Sequence, residues 1–164
     1  MNKKSLIYNI FPPFLMILSL MSSTLYGKDA LPLPRYAALN SDKVNLRVGP
    51  GNEYPIAWVY KVAHLPVKII AEYDTWRQIE DADKTTGWVH QNMLTGKRHV
   101  QVRQKADLLA SAGRDAKVRA HVQPGVIFKL KKCQTEFCRV IAGNADGWIH
   151  KDTLWGVEEK DFVS

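Results

Sequence analysis

The side chains with the most potential for chemistry are two cysteines, Cys133 and Cys138, in a C-x4-C spacing. A cysteine nucleophile needs a neighbouring base and a group that orients this base. The spacing is wrong for a C-x-x-C redox motif, and a zinc site would require a second pair of ligands. Paired cysteines of exported proteins are normally bridged. We therefore predict a disulfide between Cys133 and Cys138. The N-terminal residues, described below, indicate that the chain is exported.

The histidines and the acidic residues indicate neither a metal site nor an acid–base pair. His90 and His150 each follow a Gly-Trp-aliphatic sequence, and no two of the five histidines have H-x3-H spacing. Zinc needs three or four preorganised ligands, so we predict no metal ion and no cofactor. Glu80, Asp81 and Asp83 are close neighbours, which is typical of a solvated turn, whereas catalytic carboxylates oppose each other across a cleft.

Composition narrows the function classes further. The chain has 164 residues, of which 46% are apolar and 24% charged. These fractions exclude a wholly disordered chain, and the length excludes a large enzyme with a separate cofactor domain. The net charge is +7. Outside the cytosol we expect no nucleic-acid partner, whereas anionic envelope polymers would be attracted by this charge.

The first 27 residues have the order of a secretory signal peptide. Two lysines form a basic start, residues 6–21 are mainly apolar, and small residues precede Gly27. This order predicts cleavage near Gly27. The alternative is an uncleaved anchor, but Pro12 and Pro13 leave an apolar run shorter than the roughly 20 residues of a spanning helix. We expect a periplasmic or secreted protein without a stable membrane span, with 21 basic and 16 acidic residues and a net charge of +5.

The remaining chain contains an internal repeat. Residues 86–96 (TGWVHQNMLTG) match residues 146–156 (DGWIHKDTLWG) at an offset of 60. Such self-similarity indicates two copies of one structural unit. The expected organisation is a signal peptide at 1–27, an irregular leader at 28–39, one domain at 40–103, a second domain at 104–158 and a tail at 159–164.

Each copy has the pattern of short strands separated by Gly- and Pro-containing turns. The strands predicted in copy one are 44–48, 57–62, 67–73, 76–80 and 87–90. Those predicted in copy two are 108–111, 117–122, 126–133, 137–142 and 147–150. A single helical turn is expected after the last strand of each copy. Five short strands in about 55–60 residues predict an all-β fold of two small barrels.

Residues 44–56 (VNLRVGPGNEYPI) resemble the opening strand and loop of the bacterial SH3-like (SH3b) domain. Trp76 after a tight turn and the closing Gly87-Trp88-Val89 are further features of that family. The resemblance implies two tandem small SH3-like β-barrels after a signal peptide, as in exported proteins of Gram-negative bacteria. Copy two has DLLAS at residues 107–111 instead of the Asn-Leu-Arg opening, so the resemblance assigns the loop's binding role to copy one.

The candidate ligand-binding residues follow from this opening and from the aromatics. Asn45 and Arg47 belong to the opening motif, and Tyr54 and Trp76 lie at adjacent turns. Aromatic side chains on neighbouring loops can form an open shelf for an extended peptide or a glycan. We expect Tyr54 and Trp76 to be partly exposed, and Trp88 with its repeat equivalent to lie in the core.

The alignment of the two copies also predicts what replaces the disulfide in copy one. Cys133 aligns with Glu72 and Cys138 with Arg77, and both pairs flank the same hairpin turn. Facing positions across a hairpin are close enough to interact. We therefore predict an ion pair between Glu72 and Arg77.

These observations favour a non-enzymatic exported binding module that recognises a cell-envelope component, by resemblance peptidoglycan or a partner peptide. One alternative is an accessory factor for protein–protein assembly without affinity for the wall. The enzymatic alternative is a small cell-wall hydrolase, because SH3b domains often accompany NlpC-type cysteine peptidases.

Overall fold

The structure is a computed structural model that describes residues 31–158 and residue 161. The predicted signal peptide, residues 1–27, lies outside the described residues, as does the predicted tail apart from Asp161. Within 31–158 and 161, no helix has the length and apolar character needed to span a bilayer.

The first repeat is an antiparallel sheet of seven strands with the order β3-β2-β6-β5-β4-β1-β7. A short 3-10 turn, Gln91–Met93, precedes the last strand. The strands are β1 Arg35–Leu39, β2 Val44–Arg47, β3 Ile56–Tyr60, β4 Pro66–Tyr73, β5 Trp76–Glu80, β6 Thr86–His90 and β7 Leu94–Thr95.

The second repeat has the same architecture, with the strand order β10-β9-β13-β12-β11-β8-β14. Its 3-10 turn is Lys151–Thr153. The strands are β8 His99–Val102, β9 Ala106–Leu109, β10 Val118–Val122, β11 Ile127–Cys133, β12 Phe137–Ala142, β13 Ala145–His150 and β14 Leu154–Trp155. The all-β fold of two tandem SH3-like domains is confirmed, and each sheet is open rather than a closed barrel.

The structure corrects the predicted organisation in three places. Each repeat has seven strands instead of five. The leader predicted to be irregular contains β1, which pairs with β4 and β7. Strand β8 belongs to the second sheet, where it pairs with β11 and β14, whereas the sequence places residues up to 103 in the first domain. Strands β1 and β8 are short, so their strand conformation depends on the strands with which they pair rather than on their own residue pattern.

The repeated Gly-Trp-aliphatic sequence has a packing reason. A Cβ atom on Gly87 would lie 2.6 Å from Leu46 Cγ, and one on Gly147 would lie 2.6 Å from Leu108 Cγ. Glycine therefore allows the last long strand of each repeat to approach the buried leucine of its neighbour. Trp88, predicted to be a core residue, is only half-buried, while Val89 beside it is fully buried.

The two repeats contact each other through aromatic and charged side chains. The rings of Tyr36 and Trp155 meet edge to face at 5.3 Å, and the amide of Tyr36 donates to the Glu158 carboxylate. The guanidinium of Arg103 donates to Asp83 Oδ1 at 2.9 Å. Aromatic, hydrogen-bonding and ionic contacts thus join strands that come from both halves of the chain.

Candidate functional site

The opening motif of repeat one forms a compact loop between β2 and β3. Arg47 Nη1 donates to the Tyr54 carbonyl at 2.7 Å, and the Tyr54 ring covers Gly49, where a Cβ would lie 2.3 Å from Cδ1. Tyr54 is 40% exposed, which confirms its predicted partial exposure. Asn45 is exposed on β2. The structure thus brings Arg47 and Tyr54 together through one hydrogen bond that fixes the loop.

Trp76, the other half of the predicted aromatic shelf, is only 8% exposed, so the prediction of its partial exposure was wrong. Trp76 pairs with His90 across β5 and β6, and the two rings meet edge to face at 5.5 Å. This packing covers the Trp76 ring next to the core. The sequence does not show which neighbour would cover it.

One exposed aromatic that the sequence did not single out is Trp58. It is 59% exposed, and Ile56 two residues before it is also exposed. Both lie on β3, which is one of the two edge strands of the first sheet. The residue types along 56–60 indicate no more than a strand, because a sequence pattern does not distinguish an edge strand from an inner one.

The second repeat carries a groove of about 800 Å³. It lies between β9, β10, the start of β12 and the 3-10 turn after β13. Its apolar lining comes from Leu109, Val118, Val122 and Phe137, together with Ala106. Its polar lining residues are Lys105, Asp107, Arg114, His121, Gln123, His150 and Thr153.

Strand register shows that this groove is the repeat-two counterpart of the site predicted for repeat one. Asp107 pairs with His121 as Asn45 pairs with Val59. By the same logic Leu109 pairs with Trp148 as Arg47 pairs with Trp88. Phe137 pairs with His150 as Trp76 pairs with His90. The equivalents of Asn45, Arg47 and Trp76 therefore line the groove, in the copy to which the resemblance had assigned no binding role.

The charged residues of the groove are mostly basic. Lys105 and Arg114 are exposed, and Arg114 Nη2 donates to Glu136 Oε1 at 2.9 Å. The ring of His121 lies 2.7 Å from the Asp107 carboxylate, measured from Nδ1 to Oδ1. Asp107 is the one acidic residue among the lining side chains, compared with two cationic residues, Lys105 and Arg114.

The two repeated histidines have a structural role next to the site. The Nδ1 atoms of His90 and His150 accept hydrogen bonds from the backbone amides of Asn92 and Asp152, at 3.3 and 3.4 Å. Each ring thus caps the following 3-10 turn, and His150 also packs edge to face on Phe137 at 5.2 Å. The capped turn brings Thr153 to the end of the groove.

The predicted disulfide is confirmed: Cys133 and Cys138 are bridged across the β11–β12 hairpin, with their Cα atoms 3.9 Å apart. The predicted ion pair is confirmed as well, since Arg77 Nε lies 2.9 Å from Glu72 Oε1. Arg35 of β1 binds the same carboxylate. Hydrogen bonding by Arg35, together with the charges of both guanidiniums, lowers the pKa of Glu72.

The acidic turn differs from the solvated one that was predicted, because Asp81 is buried. The Tyr60 hydroxyl donates to Asp81 Oδ2 at 2.9 Å. The amides of Asp83 and Thr85 both donate to Oδ1, each at 2.9 Å. Burial, followed by this hydrogen bond and the charge of Asp81, raises the pKa of Tyr60. Within 31–158 and 161, no group of three or more His, Cys, Asp or Glu is arranged to hold a metal ion.

The duplicated sheets agree with the result of sequence comparison. The family model described as the bacterial SH3 domain matches residues 40–96 and residues 102–156. The chain therefore belongs to the bacterial SH3 domain family and carries two copies of the domain. No curated protein matches the sequence.

Similar solved structures come from proteins with NlpC in their names. NlpC1 of Trichomonas vaginalis is 12% identical with a TM-score of 0.36, over 77% of this chain and 47% of that one. NlpC2 of the same organism is 10% identical with a TM-score of 0.35, over 82% and 52%. An NlpC/P60 family protein of Bacillus cereus is 13% identical with a TM-score of 0.34, over 79% and 58%. The chain thus spans about half the length of these proteins.

Proposed function

We propose that this protein is a non-enzymatic binding module of the bacterial cell envelope, exported by its N-terminal signal peptide. Its ligand is an acidic peptide segment of the wall, held in the groove of the second repeat. Bacterial SH3 domains are often cell-wall binding modules, which supports the general class. The single observation that carries the specific site is the groove with an apolar floor and a basic rim.

The geometry of the groove fits an extended peptide better than a compact molecule. The groove runs along the edge strand β10, where Val118 and His121 are exposed. Peptides that lie along a sheet edge gain main-chain hydrogen bonds and insert alternate side chains into pockets. Val118 and the buried ring of Phe137 provide an apolar surface for such a side chain.

The charges of the groove fit carboxylates. Arg114 is highly exposed, and its partner Glu136 is itself partly exposed, so exchanging one carboxylate for another costs little. Guanidinium groups bind carboxylates with two parallel hydrogen bonds. The net charge of the processed chain, +5, adds long-range attraction to an anionic polymer.

The non-enzymatic part of the proposal is supported by the absence of an activated nucleophile among the described residues of the groove. Both cysteines are fully buried in the disulfide. The His121–Asp107 pair has the form of an oriented base, but no Ser or Cys stands among the lining residues, and the hydroxyl of the lining residue Thr153 donates to the His150 carbonyl at 2.7 Å. Covalent catalysis by such a base requires a nucleophile within hydrogen-bond reach of its ring.

A pull-down with purified sacculi tests this proposal. We expect the protein to be retained at modest salt, and we expect Arg114→Ala and Val118→Asp to reduce retention several-fold, because they remove the rim cation and the apolar contact. Lys61→Ala is the matched control, since it removes one exposed positive charge from the first repeat. Tyr54→Ala tests the predicted site of repeat one in the same assay.

Three other outcomes would contradict the proposal or favour one of its alternatives. Retention no greater than that of an unrelated basic protein of similar size would contradict binding to the wall. A co-purified protein partner in the absence of retention would favour the assembly alternative. A cleared zone in peptidoglycan zymography would establish the hydrolase alternative and refute the non-enzymatic proposal.

A further inference from the structure

A second, smaller cavity lies at the junction of the two repeats. Its volume is about 250 Å³, below the roughly 300–1,000 Å³ of pockets for drug-sized ligands, so it accommodates one ring or one side chain. Repeat one contributes Trp58, Tyr60, Leu65, Asp81, Ala82, Asp83 and Thr85 to the lining, and repeat two contributes Gln101.

One wall of this cavity is formed by the aromatic side chain of Trp58, which the fold itself does not require. Trp58 and Tyr60 lie two residues apart on β3, so both side chains are on the same side of the strand. Tyr60 is buried, whereas Trp58 remains 59% exposed at the open edge of the sheet. In repeat two the equivalent position is Ala120, since Leu108 pairs with Ala120 as Leu46 pairs with Trp58. A small residue therefore suffices for folding there.

The opposite side of the cavity is polar, and its two carboxylates, Asp81 and Asp83, already have partners. The oxygens of Asp81 already accept hydrogen bonds from Tyr60, Asp83 and Thr85. The Asp83 carboxylate is paired with Arg103 of the other repeat at 2.9 Å. An anionic ligand would be repelled by these carboxylates. A cationic ligand would have to compete with Arg103 for Asp83, and Asp81 is buried with three hydrogen bonds to its oxygens.

Two polar side chains remain available to a ligand. In the part of the chain that the structure describes, the Thr85 hydroxyl and the Gln101 side-chain amide make no hydrogen bond, and both residues line the cavity. A hydroxyl and an amide offer both donors and acceptors to an uncharged partner. Together with the indole face of Trp58, they match a ring that has apolar C–H groups on its face and hydroxyl or amide groups on its edge.

We propose that this junction cavity, formed by Trp58, Thr85 and Gln101, is a subsite for one uncharged pyranose ring, such as an N-acetylated hexosamine of a glycan. The ring lies against the Trp58 indole, and its polar substituents bond to Thr85 and Gln101. The Tyr60–Asp81 hydrogen bond holds the 81–85 turn in place beforehand, which reduces the cost of ordering on binding. The site needs both repeats, because Gln101 lies on β8. It involves none of the lining residues of the repeat-two groove.

The test is an NMR titration of the protein with tri-N-acetylchitotriose, a soluble neutral oligosaccharide. We expect saturable shifts of the Trp58 indole N–H and of the Gln101 side-chain amide. Trp58→Ala should weaken binding about tenfold, as expected for loss of an aromatic contact surface of this size. Gln101→Ala should weaken it less. Tyr73→Ala removes another exposed aromatic of repeat one and should leave the affinity unchanged.

The outcomes distinguish this inference from the proposed function. Absence of shifts, or equal affinity of the Trp58→Ala variant, overturns the sugar subsite even if Arg114-dependent retention on sacculi persists. Shifts at the cavity caused by a lysine-rich peptide but not by the oligosaccharide overturn it as well. Arg114→Ala should bind the oligosaccharide like the unmodified protein. Binding of wall glycan strands stripped of their peptides, tested in parallel, shows whether the same subsite accepts the wall's own sugar.

Discussion

At the scale of single residues, the structure shows how equivalent positions acquire different roles. Arg47 closes the opening loop of repeat one by donating to the Tyr54 carbonyl. Its equivalent Leu109 cannot make this bond and instead lines the groove of repeat two. The sequence pointed to both positions. It could not show that a groove forms in the repeat that has leucine in place of this arginine. That outcome depends on the space between β9 and β10, which only the folded chain defines.

The stacked histidines between the repeats predict a dependence of stability on pH. The rings of His64 and His99 lie 4.6 Å apart and nearly parallel. Burial, opposed by a hydrogen bond to the Lys97 carbonyl and reinforced by the charges of His64, Lys129 and Lys97, lowers the pKa of His99. The unfolded chain therefore binds more protons than the folded chain just below the ordinary histidine pKa of 6.5, so the free energy of unfolding falls as the pH decreases through that value.

Urea unfolding at a series of pH values measures this effect. We expect the stability lost below about pH 6.5 to be reduced in His99→Gln. His64→Asn should also reduce it, because it removes the second ring while asparagine tolerates the left-handed backbone of residue 64, where φ is 64°. His121→Gln changes an exposed histidine and serves as the control. Identical pH profiles for all of these proteins would contradict the assignment.

At the scale of elements, the two copies of the repeat could be predicted from the sequence, whereas several of their short strands could not. The Gly-Trp-aliphatic motif indicated β6 and β13, and the following 3-10 turns were expected as single helical turns. Strand β1 was missed because Ala37 and Ala38 have little intrinsic preference for strands. Both are nevertheless buried by pairing with β4. Strands β7 and β14 have two residues each, too few for any periodicity.

The β11–β12 hairpin is cross-linked by a disulfide, and the equivalent β4–β5 hairpin is cross-linked by an ion pair. We expect the disulfide to contribute more to the free energy of unfolding. Replacing both cysteines of the Cys133–Cys138 bridge with serine should lower the free energy of unfolding by about 2 kcal/mol, since the bridge closes a very short loop. Glu72→Gln in the other repeat should cost about 1 kcal/mol, because its carboxylate is only partly buried. Denaturant unfolding of both variants measures the difference, and a larger loss for Glu72→Gln would contradict it.

The close approach of β9 and β13 predicts a strong effect of a small substitution. A Cβ on Gly147 would lie 2.7 Å from the Leu109 carbonyl oxygen, which is backbone and cannot move away. We expect Gly147→Ala to destabilise the protein by about 2 kcal/mol through overpacking. Gly96→Ala is the control, because a Cβ added to Gly96 would meet no atom within 4 Å. Equal thermal midpoints for the two variants would show that the strands can separate without cost.

At the scale of the whole molecule, the second repeat provides the charged groove, and the two repeats together enclose the small junction cavity. The sequence predicted two domains but not their contact, because Asp83 and Arg103, or Tyr36 and Trp155, carry no local pattern that marks them as partners. Contacts between halves arise from the complementarity of two folded surfaces. Tandem duplication thus gives this chain a junction cavity whose lining comes from both copies.

The central claim, that the groove of repeat two binds an acidic wall peptide, is tested most directly by titrating the protein with a soluble stem peptide of peptidoglycan while recording backbone amide shifts. We expect saturable shifts along Ala106–Leu109 and Val118–Val122 that weaken with added salt and with Arg114→Ala. Shifts confined to the first repeat, or no shifts at all, would contradict the claim.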